Sequence, residues 1–252
     1  MATWWNSLNR ARGLIAAVAL LGLGACADEV LETHALPASK AIRASGPLDL
    51  RLVMGDAYEL SVQGPEAAVA GFEFTVDGEQ LSLNASGQRV VVEVSIADLE
   101  RVEVLRGVRA ELPRLAGAGA LRLAAYADAE LVVAAAAADT VDVRASGDAR
   151  VAIDDVLAET VQVLAAGRSA VALSGEAGMA RVEAGGSAQV SAENLRVQDM
   201  TVTSRGDSVA TLWATAHIQG QVTDRSEVRL RGRPDESVVT GDEARFERST
   251  VD

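Results

Sequence analysis

The chain has a single cysteine, Cys26, so no disulfide can close within it. Histidine occurs twice, at His34 and His217, and neither has a neighbour at metal-ligand spacing, so no zinc site is expected. Lysine occurs once, at Lys40, and aromatic residues make up 3% of the chain. Basic side chains number 23 against 36 acidic ones, a formal charge of −13 that repels polyanions and excludes nucleic acid as a partner. An interior so poor in rings has to be filled by Ala, Val, Leu and Ile. A narrow core of stacked, similar layers is built that way, whereas a jigsaw core usually recruits more aromatic side chains.

What is present begins with Arg10 and Arg12, directly before an apolar run over residues 13–24. That is the order of a secretory leader. A run of this length would extend about 18 Å as a helix, too short for a bilayer core of roughly 30 Å. It is followed by Leu23-Gly24-Ala25-Cys26, which resembles the lipobox of bacterial lipoproteins, where a thiol is alkylated by diacylglycerol before the leader is removed. The resemblance implies a signal peptide over residues 1–25, lipidation of Cys26 and a lipidated tether over 26–41. Two acyl chains hold a protein durably at a bilayer, so the membrane is an expected partner through this anchor. In such lipoproteins an aspartate directly after the cysteine signals inner-membrane retention. Ala27 stands there, which implies the outer membrane. With the leader go two arginines, leaving 21 basic and 36 acidic side chains and a charge of −15.

Beyond the tether the chain repeats itself. Val104, Leu123, Val143, Val163, Val182, Val202 and Val222 follow one another at spacings of 19, 20, 20, 19, 20 and 20 residues. Four residues after the later anchors come Gly147, Gly167, Gly186, Gly206 and Ser226, and four further on Val151, Val171, Val190, Ala210 and Leu230. Each unit therefore reads as strand, tight corner, strand, with apolar and polar residues alternating. Segments such as 154–160 are more variable and read as a third side with a return turn. The alanine run 134–138 has helix propensity, but its phase in the repeat makes it a turn and strand edge. A unit this short cannot bury its own apolar face, so neighbours must stack. The predicted fold is all-β: a right-handed parallel β-helix, or β-solenoid, of about 20 residues per coil over residues 104–248. An antiparallel sandwich would also have short alternating strands, but with less regular turns.

Residues 42–103 differ. They hold candidate strands at 48–53, 57–62, 71–76, 80–84 and 89–96, with Val76-Asp77-Gly78-Glu79-Gln80 as a hairpin signal. An N-terminal β section here is expected to cap the first coil and cover its edge groups. Residues 249–252 are left as a tail.

Several of these segments resemble the putative autotransporter adhesin head GIN domain family of bacterial envelope proteins, across residues 42–248. They are Gly55-Asp56-Ala57-Tyr58-Glu59-Leu60, the hairpin Val76-Asp77-Gly78-Glu79-Gln80-Leu81, the corner Ser146-Gly147-Asp148 and the close Glu227-Val228-Arg229-Leu230-Arg231-Gly232-Arg233-Pro234. The resemblance implies a β-helical fold with no established catalytic residues. The sequence holds no series of long alternating strands of the kind that forms a membrane barrel, so Cys26 is expected to supply the attachment.

Chemistry is sparse. Asp139, Asp142, Asp148, Asp154, Asp155 and Asp207 are candidates for a calcium or lyase site if coils align them, and a solvated acidic face is the simpler reading. Trp213 and Tyr126 are candidate stacking platforms for sugar, and packing residues otherwise. No catalytic residue, metal or cofactor is assigned. The functional expectation is a non-catalytic envelope scaffold or adhesin-like binding module with an envelope protein or polysaccharide as partner. The alternative is a β-helical carbohydrate-active enzyme resembling a polysaccharide lyase.

Overall fold

Period-two alternation dictates strands with one apolar edge, and a chain of such strands buries those edges by coiling around them. In the computed structural model, which describes residues 29–117 and 119–248, this is what happens. The elements before the long coils are β1 (Glu29–Ala35), β2 (Ala41–Ser45), β3 (Leu48–Met54), β4 (Glu59–Pro65), the short helix α1 (Glu66–Ala70), β5 (Phe72–Asp77), β6 (Gln80–Ala85) and β7 (Val90–Ile96). There follow β8 (Arg101–Leu105), β9 (Arg109–Ala116) and β10 (Ala120–Ala127). Five long strands bend around the rod: β11 (Glu130–Gly147), β12 (Arg150–Gly167), β13 (Ala170–Ala184), β14 (Gln189–Ser204) and β15 (Val209–Val222). The rod closes with β16 (Glu227–Arg231), β17 (Asp235–Thr240) and β18 (Arg245–Arg248). The chain is a parallel β-solenoid of about seven turns with roughly 20 residues per coil.

The core consists of ladders. Leu123, Val143, Val163, Val182 and Val202 are successive in-register partners, each at most 3% exposed. On the facing side Leu131, Val151, Val171, Val190 and Ala210 do the same. Burying one such branched side chain stabilises by roughly 1.5–3 kcal/mol, so the ladders carry the rod without rings. The alanine run joins them: it lies inside β11, with Ala135 and Ala136 buried, because burial and ladder bonds outweigh helix propensity there. Register shifts fall on the variable third side, between Ile153 and Val156, Ala172 and Ser174, and Ala192 and Arg196.

The two ends of the anchor series are out of register by two. Val104 stacks on Ala125, and Leu123 takes Val102 as its partner. At the other end Val202 pairs with Gly220, and Val222 with Ser204. Both valines are still buried, since a slip of two residues keeps every side chain on its own face.

The corners show why glycine recurs. Gly206 has φ +77°, and a Cβ placed on it would lie 2.7 Å from the carbonyl oxygen of Gly186 in the coil below. Ser226 does not continue this column. Asp224 holds the left-handed corner there, at φ +58°, and its Oδ2 accepts from the Gly206 amide at 2.9 Å. Ser226 is instead buried two residues later, its hydroxyl donating to the Ser204 and Thr223 carbonyls. Every buried side-chain polar atom among the described residues has a hydrogen-bond partner.

Beside the corner glycines, the Arg168 guanidinium grips the Asp148 carboxylate at 2.6 and 2.7 Å, and Arg225 grips Asp207 at 2.7 Å. These hydrogen bonds hold both carboxyls below the usual carboxylate range. A depressed folded pKa contributes stability that is present above the unfolded value and lost as pH falls through the folded one. Arg168→Ala/Arg225→Ala should therefore lower the urea midpoint at neutral pH, with the difference closing once both aspartates are protonated in strong acid. A difference that persists in acid would show that these pairs act through packing.

The N-terminal section is woven into the rod. One face runs β5, β6, β2, β8, β10, so β2 sits between strands that follow it by some 40 and 60 residues. The other runs β1, β4, β7, β3, β9. β5 runs antiparallel to β6 and β4 antiparallel to β7, which ends the parallel stack on each face, and β1 pairs antiparallel with β4 outside it. Asp77 and Gln80 close the expected hairpin, with Gly78 at φ +58°. Residues 29–35, placed by the sequence within the tether, form β1. Cys26 and the leader lie outside the described residues, as does the tail.

Candidate functional site

In-register stacking turns outward residues, 18 to 20 apart in sequence, into vertical rows. On one face Met179, Asp199, His217 and Asp235 are successive partners. His217 Nδ1 lies 2.6 Å from Asp199 Oδ1, and its Nε2 lies 3.9 Å from Asp235 Oδ2. The imidazole is thus an exposed strand residue between two carboxylates. These residues, with Gln219 in the next row, border a shallow open groove of about 690 Å³. The hydrogen bond described for His217 runs to Asp199, and among the described residues no serine, threonine or cysteine is joined to it as a nucleophile would be.

The other candidates are dispersed. Asp155 pairs with Arg114 at 3.1 Å, while Asp142 is gripped by Arg144 at 2.9 and 3.2 Å. Asp148 and Asp207 belong to the corner pairs, and Asp139 and Asp154 are exposed. Among the described residues, no group of three or more His, Cys, Asp or Glu side chains is placed to hold a metal ion. Trp213 is half-buried, and the Arg231 guanidinium covers its ring 4.3 Å from the centroid, so one face of the indole is taken. Tyr126 is half-buried between Leu105 and Ser146 of neighbouring rungs. His34 packs in β1, with its ring centroid 5.0 Å from that of Phe74.

The groove escaped the sequence reading because its members look like ordinary solvated positions of separate strands. His217 stood out through rarity, whereas Met179 and Gln219 carried no signal until the rows were stacked. No described helix is long and apolar enough to cross a membrane.

Solved structures share this architecture. A "putative adhesin" from Parabacteroides merdae superposes with a TM-score of 0.77 at 13% identity, covering 88% of this chain and 96% of its own. A second, from Parabacteroides distasonis, gives 0.73 at 14%, covering 88% and 97%. A "putative lipid binding protein" from the latter organism gives 0.69 at 13%, covering 87% and 97%. At these identities the likeness establishes the fold. No protein of curated function matches the sequence. The model of the family described as "Putative auto-transporter adhesin, head GIN domain" matches residues 39–234, ending before β17 and β18 rather than at residue 248. The chain belongs to that adhesin head GIN domain family.

Proposed function

We propose that this chain is a cell-envelope lipoprotein, anchored through diacylglycerol on Cys26 in the outer membrane, whose rod is a non-catalytic, adhesin-like binding scaffold. The observation that carries this reading is the rod itself: its apolar residues are spent mainly on internal ladders, and several of its outward charges are tied in pairs on open faces. The family description supports the adhesin-like part, and the lipobox-like segment supports the anchor. An envelope protein or a polysaccharide is the partner class that suits open faces on a protein of charge −13.

Two measurements test it. Cys26→Ser should abolish incorporation of a labelled fatty acid and release the chain from the membrane fraction, or leave it with its leader uncut. Unchanged labelling would refute the anchor. Incubation of the purified protein with acidic and neutral polysaccharides, with and without Ca²⁺, should yield no unsaturated products or new reducing ends. Turnover lost in Asp154→Asn/Asp155→Asn would establish the lyase-like alternative, because β-helical lyases can assemble sites from neighbouring coils.

A further inference from the structure

The groove beside His217 lies on the face made by β8, β10, the second halves of β11 to β15, and β17. Two outward rows run next to the row of His217. Toward the N-terminal end of the rod they are charged, with Arg122, Asp142 and Arg144 as close neighbours. Their last charges are Arg181 and Glu183, tied to each other at 2.6 Å. From there to β17 one row holds Thr201, Gln219 and Ser237, and the other Thr203, Gln221 and Val239. All of these but Val239 carry a hydroxyl or an amide.

Most of that hydrogen-bonding capacity is unspent. The one side-chain hydrogen bond described among these groups is donated by Gln219 to Thr201, at 3.4 Å. A hydroxyl offers one donor and two lone pairs, and an amide two donors and an acceptor, so the patch can both give to and take from a sugar hydroxyl. At its border the Asp235 side chain is 93% exposed, and its described ion-pair contact is His217 Nε2 at 3.9 Å, which leaves its oxygens free to accept. Met179 and Val239, 54% and 67% exposed, stand at diagonal corners and supply apolar contact for the C–H faces of a ring.

The occupant follows from what the groove offers. A protein partner gains most from aromatic or arginine anchors seated in deep pockets, and this groove is shallow and open. An anionic chain is opposed by Asp199, Asp235 and Glu236 in the lining, where the Arg181 guanidinium is already engaged by Glu183. Successive rungs are roughly 4.8 Å apart, close to the rise of one pyranose ring, so an extended sugar chain along the rod meets a hydroxyl or amide at each step. We propose that this part of the face binds a neutral polysaccharide lying along the rod. The inference rests on the binding-scaffold reading given above and names the place and the partner within it.

The test is affinity electrophoresis of the full chain in a detergent without a sugar headgroup. Native gels carry hydroxyethylcellulose, mannan, dextran or soluble starch as neutral probes, and alginate as the acidic one. At least one neutral probe should retard the wild type, and alginate should not. Thr201→Ala/Gln219→Ala and Asp235→Ala should each weaken that retardation about tenfold, while Gln189→Ala/Ser191→Ala on the other face should leave it unchanged. Circular dichroism checks that each variant is folded. Retardation by no neutral probe, or stronger retardation by alginate, would overturn the site. Retardation that survives the groove substitutions would also overturn it and leave the scaffold reading standing. New reducing ends, formed by wild type and lost with the groove substitutions, would support the site and refute the non-catalytic reading.

Discussion

Val182→Asp should unfold the rod or leave it barely stable, whereas Glu183→Lys, one residue away, should change stability by no more than about 1 kcal/mol. Val182 is 2% exposed, between Val163 and Val202 in adjacent coils. A carboxylate there has no cation within the ladder, and an uncompensated buried charge costs about 3–5 kcal/mol, a large share of the 5–15 kcal/mol that a domain has. The damage also spreads, because each coil of a solenoid is stable only through its neighbours. Glu183 points outward and is held by Arg181 at 2.6 Å, so reversing its charge removes an exposed pair. Urea unfolding followed by circular dichroism measures both. Equal midpoints would mean that the inward and outward assignments fail.

The contrast rests on a property that was legible before any coordinates. Alternation fixes which residues face inward, and the valine series placed the ladders from Leu123 to Val202 with their correct partners. What alternation cannot fix is register, because a slip by two is invisible to a pattern of period two. That is why Val104, Val222 and Leu230 were set against the wrong rungs: Leu230 pairs with Leu212, not Ala210. The coil ending the series is shorter, with Asp224 at the corner and Ser226 past it. The weaving of β2 between β6 and β8 was equally illegible, since nothing local in residues 41–45 records a partner some 40 or 60 residues away. The outward groove around His217 needed the registers themselves, and Cys26 was read from a sequence pattern to which the folded coils add nothing.

Gly206→Ala should destabilise by roughly 2–4 kcal/mol, combining a left-handed backbone penalty with overpacking, while Gly185→Ala should be neutral or slightly stabilising. Both are corner glycines, two turns of the same kind, and composition alone does not separate them. Gly206 lies at φ +77°, and its added Cβ would meet backbone atoms of Gly186 at 2.7, 3.2 and 3.3 Å. Those atoms belong to a ladder fixed above and below, so they cannot withdraw as a flexible side chain would. Gly185 has no such φ, and nothing lies within 4 Å of its added Cβ. Replacing it removes freedom from the unfolded chain at no native cost. Positive φ by itself is tolerated in this protein, as Ala127 shows at φ +62° and Asp224 at +58°. The expected cost at Gly206 therefore comes mainly from the close approach of successive coils. Thermal unfolding of the two variants separates these terms: a Gly206→Ala midpoint matching that of Gly185→Ala would show that the corners can spread apart, and that glycine recurs there for some reason other than stacking.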